Sequence, residues 1–214
     1  SLLLVLVVCV NCRPIDDYVD EVEPAFGWFE TDVSFRTVFG GEARVVNITS
    51  LNSSTNHTLK PQVAQFGLIK WLSLPLKTWF IEIIPLFILG KETSNATANP
   101  SHRRISMFLS LIIAFNTKSI TVAVFEDINC PMVYSDDPNQ RKMKEDSIVS
   151  WSFNEYIKNQ DPKMLIFFPM AKAAFQIMKA VEQYTLSKGM AEIEGWFVTG
   201  ISKRGWTTWL IGAT

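Results

Sequence analysis

The chain has 214 residues, 48% hydrophobic and 19% charged, a composition that excludes a disordered segment and supports one sizeable core. Its 20 Lys and Arg are balanced by 21 Asp and Glu, so the net charge of −1 supplies no global field for nucleic acid or an anionic membrane surface.

The first stretch, Leu2 to Val10 (LLLVLVVCV), is uncharged and is followed at once by Asn11, Cys12, Arg13 and Pro14. It is far shorter than the roughly 20 residues that cross a bilayer and fits the apolar region of a secretory signal. Residues 1–12 are therefore expected to be a partial signal peptide cleaved near Cys12, with a buried N-terminal strand as the alternative. Asn-x-Ser/Thr sequons at Asn47, Asn52, Asn56 and Asn95 agree with export, and the region from Val46 to Leu59 reads as a surface loop. A secreted glycoprotein is the expectation. Cys9 and Cys12 fall in the leader, so Cys130 stands alone, as a small buried apolar residue or the partner of a cysteine beyond Thr214. One thiol makes neither a disulfide framework nor a metal pattern, and no metal or cofactor is expected.

Farther along, Val33–Phe39 and Arg44–Thr49 read as strands joined at Gly40-Gly41, a hairpin signal. Thr78–Ile84 and Leu86–Leu89 are apolar runs split by Pro85 and suit buried strands. Glu82 and Pro85 argue against a membrane span. A polar loop from Lys91 to Pro100 leads to Ile105–Phe115, a buried helix, and then to Ser119–Phe125, a β-branched strand. Val149, Phe153, Tyr156 and Ile157 recur at helical spacing, as do Met170, Ala174, Ile177, Met178, Val181 and Tyr184. The second of these helices is expected to open at Pro169 and close at Gly189. Trp196–Thr199 is a short strand, Gly200-Ile201-Ser202 a turn, and Arg204 begins a helix. Strand and helix alternate here, which implies a parallel sheet covered by helices on both faces: an α/β, doubly wound domain.

The turn carries the chemistry. A serine hydroxyl needs a base to accept its proton and a sharp strand-to-helix turn to lift it clear of the backbone. In VTGISKRGWTTW, Ser202 occupies such a turn between Gly200 and Gly205, and the Lys203 N–H at the helix start would face an oxyanion. A second donor would come from the loop after an earlier strand, with Gly90 and Lys91 as the candidates. On pattern alone Ser202 is equally well an ordinary helix N-cap. Lys203 and Arg204 read either as solvated residues at an electrostatically unfavourable helix end or, better, as members of a buried ion pair.

VTGISKRGWTTWL resembles the signature of the PhoPQ-activated pathogenicity-related family. The likeness extends to PIDDYV (Pro14 to Val19), VVNITS (Val45 to Ser50), KEDSIVSWSFNEYI (Lys144 to Ile157) and FPMAKAAFQIMKAVE (Phe168 to Glu182). The resemblance implies an α/β-hydrolase-like fold with Ser202 at the nucleophile position. Residues 13–214 are then the N-terminal portion of such a domain, truncated after the start of the helix that follows the elbow. In that fold the acid and histidine follow the serine, yet no residue after Ser202 is Asp, Glu or His. His57, in a sequon, and His102, beside Arg103, read as solvated loop residues, so these 214 residues alone are expected to be inert as a triad hydrolase.

Two functions follow as expectations. One is a secreted serine hydrolase, when full length, acting on an ester, amide or peptide carbonyl of a small molecule or peptide. The other is a non-catalytic secreted signalling or growth-repressing protein that binds a cell-surface receptor, in which SKRGWTTW is kept for packing. Under either, Trp206 and Trp209, three apart on one helical face, are expected to pack the strand onto its helix.

Overall fold

The computed structural model describes residues 14–36, 42–51, 62–70, 86–89, 105–117, 119–125, 131–134, 137–144, 146–190, 192–200 and 202–214. The leader, the Gly40-Gly41 turn, the strand expected over 78–84, the loop over 91–100, His57, His102 and Cys130 lie outside them, as do Asn52, Asn56 and Asn95.

In chain order the elements are α1 (Pro14–Asp20), β1 (Gly27–Arg36), β2 (Glu42–Leu51), β3 (Gln62–Lys70), β4 (Leu86–Leu89), α2 (Ile105–Thr117), β5 (Thr121–Phe125), α3 (Asp146–Asn159), α4 (Phe167–Ser187), β6 (Phe197–Gly200) and α5 (Lys203–Ala213). The six strands form one sheet in the order β1-β2-β3-β5-β4-β6. The parallel sheet expected from the late alternation of strand and helix holds for β5, β4 and β6. β1 and β2 pair antiparallel, as hairpin strands do, and the correction is that β3 joins β2 and β5 antiparallel too, so the sheet is mixed.

β3 was not anticipated, because Gly67 and the glutamines at 62 and 65 break its apolar alternation. It is a strand because β2 and β5 hydrogen-bond to it from either side. β1 starts six residues before the expected Val33. Its register shifts between Glu30 and Ser34, where the Thr31 hydroxyl donates to the Val45 carbonyl (2.9 Å) and accepts from the Val33 N–H (3.2 Å). That irregularity masks the alternation of its first half. Asn47 lies within β2, paired to Phe29 and Gln65, so the loop expected from Val46 onward is strand as far as Leu51.

α4 crosses one face of the sheet. Ala174, Ile177, Val181 and Tyr184 close over Val46 and Ile48 of β2 and Val122 and Val124 of β5. The alternate residues Thr121 and Ala123 are also buried, on the pleat that faces the other way, and α2 packs on β5 and β4. Chain direction requires this division. From β4 the chain passes through α2 to β5 on one side, and from β5 through α4 to β6 on the other. Right-handed crossovers then place α2 and α4 on opposite faces.

α4 begins at Phe167, two residues before Pro169. The proline is tolerated in the first turn, where its missing N–H has no helical acceptor. Gly189 does close the helix, at φ 68°, with its N–H donating to the Leu186 carbonyl (3.0 Å) and the Met190 N–H to that of Thr185 (3.0 Å). Lys172, only 3% exposed, donates to the carbonyls of Tyr18 (3.1 Å) and Glu21 (2.8 Å) and so ties the end of α1 to α4. Burial lowers the pKa of this ammonium.

The segment before α3 is ordered around Asp137. Its buried carboxylate accepts from the Arg141 Nε (2.9 Å), Nη2 (3.2 Å) and backbone N–H (2.8 Å), and from the Asn139 N–H (3.2 Å). Met132 and Met143 bridge the segment, which packs with Tyr134, Ile148, Phe167 and Met170. The Arg141 guanidinium, then the backbone donors, hold the Asp137 carboxyl down from 3.8 to about 2, against the opposing cost of burial. A depressed folded pKa contributes stability above the unfolded value that is lost as pH falls toward the folded one. Urea midpoints measured from pH 5 to pH 2 should therefore drop between about pH 4 and pH 2 in the parent protein. Asp137→Asn should be less stable at pH 5 and flatter across that interval; an unchanged slope would refute the assignment.

Candidate active site

β6 is only four residues long, and its last residue, Gly200, pairs in register with Leu89, the last residue of β4. α5 starts at Lys203 and turns straight back over the strand. A Cβ at Gly200 would lie 2.5 Å from the Arg204 carbonyl oxygen and 2.8 Å from the Thr208 hydroxyl. That hydroxyl is itself held by donating to the Arg204 carbonyl (2.9 Å), so neither neighbour can give way. Gly205 differs: its Cβ would approach only the Gly200 carbonyl oxygen, at 3.4 Å. Of the two expected elbow glycines, Gly200 is sterically required and Gly205 is not.

Ser202 bridges strand and helix with φ 60° and ψ −125°. A non-glycine residue in such a region costs on the order of 1–3 kcal/mol, and residues held there concentrate at active sites. Its side chain makes no capping hydrogen bond, and the residue is exposed. The N-cap alternative thus loses its physical basis, because a cap works through a side-chain oxygen bonded to the first-turn N–H groups. Lys203 occupies the first position of α5, where the backbone N–H lies beyond the helix's own hydrogen-bond ladder and at the positive end of its dipole.

The site lies at the carboxyl ends of β4 and β6, neighbouring strands whose following helices, α2 and α5, cover opposite faces. That crevice is where open α/β sheets bind ligands. Gly90 and Lys91 are outside the described residues, but the Leu89–Gly200 register brings the end of β4 alongside the elbow.

Three expectations about side chains are corrected. Lys203 does pair, with Asp146 Oδ1 at 2.9 Å, but the pair is open to water, since the Asp146 side chain is 89% exposed. Arg204 is the buried member of the two, at 5%. Trp206 and Trp209 do not pack the strand onto its helix: they are 54% and 80% exposed, and the inward stripe is Arg204, Thr207 and Ile211. Trp206 instead rests on Phe167, with ring centroids 4.9 Å apart. Similarly, α3 buries Ile148, Ser152 and Glu155, while Phe153 and Ile157 face outward. The Lys203–Asp146 pair had no signal in the sequence beyond complementary charge, because 57 residues separate the partners.

Among the described residues, no group of three or more His, Cys, Asp or Glu could hold a metal, and no helix is long and apolar enough to cross a membrane.

Residues 15–214 match a family model described as PhoPQ-activated pathogenicity-related protein. The chain is also 26% identical, over 215 residues, to autocrine proliferation repressor protein A of Dictyostelium discoideum, a match covering 99% of this chain and 40% of that protein. It therefore spans about two fifths of this curated relative's length. No solved structure matches.

Gly200→Ala should destabilise the protein by about 2–3 kcal/mol or prevent folding, since the overlap is with backbone. Gly205→Ala, inside a helix, should stay within about 1 kcal/mol of the parent. Equal losses in a urea titration of the two variants would show that the close approach at Gly200 does not control the turn.

Proposed function

Since the chain belongs to the PhoPQ-activated pathogenicity-related family, we propose that it carries the nucleophile elbow of an α/β-hydrolase-like domain and that the full-length protein is a serine hydrolase. The observation that carries this reading is the strained, exposed and uncapped Ser202 at the junction of β6 and α5. The sheet supports it as well: an antiparallel lead-in followed by parallel β5, β4 and β6 puts the serine at the strand-order reversal.

The chemistry is acyl transfer from an ester, amide or peptide to the serine and then to water. The Ser202 hydroxyl oxygen bonds to the carbonyl carbon as its proton passes to a base, and the carbonyl π electrons move onto oxygen. The Lys203 N–H, with a donor from the Gly90-Lys91 stretch, stabilises that oxyanion. Collapse expels the leaving group, which takes up the proton, and water then releases the acyl group from Ser202. No histidine is among the described residues, so a histidine base would come from outside them.

A second reading is favoured by the relative's name, which describes an autocrine repressor of proliferation. Here the fold acts as a secreted signalling protein that engages a receptor, with the elbow retained as structure. The apolar run Leu2–Val10 and the sequons beyond β2, at Asn52, Asn56 and Asn95, support secretion under either reading.

A fluorophosphonate probe applied to the full-length protein separates the two. Covalent labelling is expected, and Ser202→Ala should abolish it without shifting the thermal midpoint. A folded parent protein that takes no label would move the assignment to the signalling reading.

A further inference from the structure

Asp146 is the first residue of α3 and Lys203 the first of α5, and their side chains meet at 2.9 Å between the two helix N-termini. Both termini carry partial positive charge. A lysine at the start of α5 is electrostatically misplaced unless an anion compensates it, whereas an aspartate at the start of α3 is well placed. Asp146 therefore offsets both helix ends and the ammonium at once. The approach of the two termini is built rather than incidental. The segment that delivers Asp146 is held by the Arg141 fork on buried Asp137, by the Met132–Met143 bridge and by Ile148 in the core below it. The Lys203 side chain is only 20% exposed, so its stem has little freedom once its head is held.

From this geometry we infer that Asp146 is a positioning residue for the oxyanion donor: it clamps the Lys203 side chain and thereby fixes the backbone N–H of the same residue beside Ser202. The inference rests on the hydrolase reading above and names a regulator of that site on a different helix. Ser202 holds a costly backbone conformation, and the residue after it must be restrained if the turn is not to relax. A solvent-open pair contributes modestly, so the effect is graded and not all-or-none.

Positioning and simple electrostatics make opposite demands. If Asp146 acted only through its charge, removing it would raise the positive potential at the oxyanion and speed the reaction. If it acts as a clamp, removing it slows the reaction even though the potential rises.

The test measures the rate of fluorophosphonate labelling of the full-length protein over a range of probe concentrations. Asp146→Asn and Lys203→Met should each lower the saturating rate constant about three- to tenfold. The half-saturating concentration should not change. The double variant should be no slower than either single one, and Asp146→Glu should recover most of the rate. Raising the salt concentration of the parent protein should slow labelling in the same sense, by screening the pair without any substitution. Labelling of Asp146→Asn at the parental rate or faster overturns the clamp while leaving the hydrolase reading intact. A parent protein that takes no label overturns both.

Discussion

The close approach of α5 to the end of β6 is the contact on which the site depends, and it exists because Gly200 has no Cβ. With a side chain there, the Arg204 carbonyl would be pushed away, α5 would start later, and Ser202 would relax toward ordinary backbone geometry. The strain at Ser202 is thus sustained by packing on both sides of it: β6 is held to β4 through the Leu89–Gly200 register, and α5 is anchored by Ile211 in the main core. A strained residue persists only where its surroundings over-determine it.

Those surroundings come from distant parts of the chain. The long antiparallel strands β1 to β3 contribute no residue to the elbow but provide, with β5, the platform on which α4 lies. α4 in turn receives α5, and its C-terminal end is fastened to β1 by charge-assisted bonds: Glu30 accepts from the Tyr184 hydroxyl (3.0 Å) and Lys188 Nζ (2.6 Å). The Lys188 bond, reinforced by Tyr184, lowers the Glu30 pKa against the cost of its partial burial. The second apolar cluster, beneath α3, sets where Asp146 stands. Two cores thus converge on one turn, one beneath the helix that follows the serine and the other beneath the helix whose first residue, Asp146, pairs with Lys203.

The outward-facing aromatics form a separate feature. Phe153 and Trp206 both contact the ring of Phe167, and Ile157 and Trp209 extend the apolar surface along their own helices. Read by periodicity, these residues are the natural inward faces of α3 and α5. The described structure instead turns Ser152, Glu155, Arg204 and Thr207 inward. A helical period says which residues share a face, but which face is covered depends on the neighbour.

What the sequence determined by itself is local. β5 follows from β-branched residues, α4 from a period that holds from Met170 to Tyr184, its end from Gly189, and the strand-to-helix turn from a glycine and a serine spaced across it. Each of these depends on interactions within a few residues, which is why each was legible. Tertiary structure alone decided the mixed strand order, the existence of β3, the outward turn of Trp206 and Trp209, the unequal roles of Gly200 and Gly205, and the meeting of Lys203 with Asp146. Strand pairing, face selection and steric approach are settled by groups tens of residues away, and a short-range pattern carries no record of which partner will arrive.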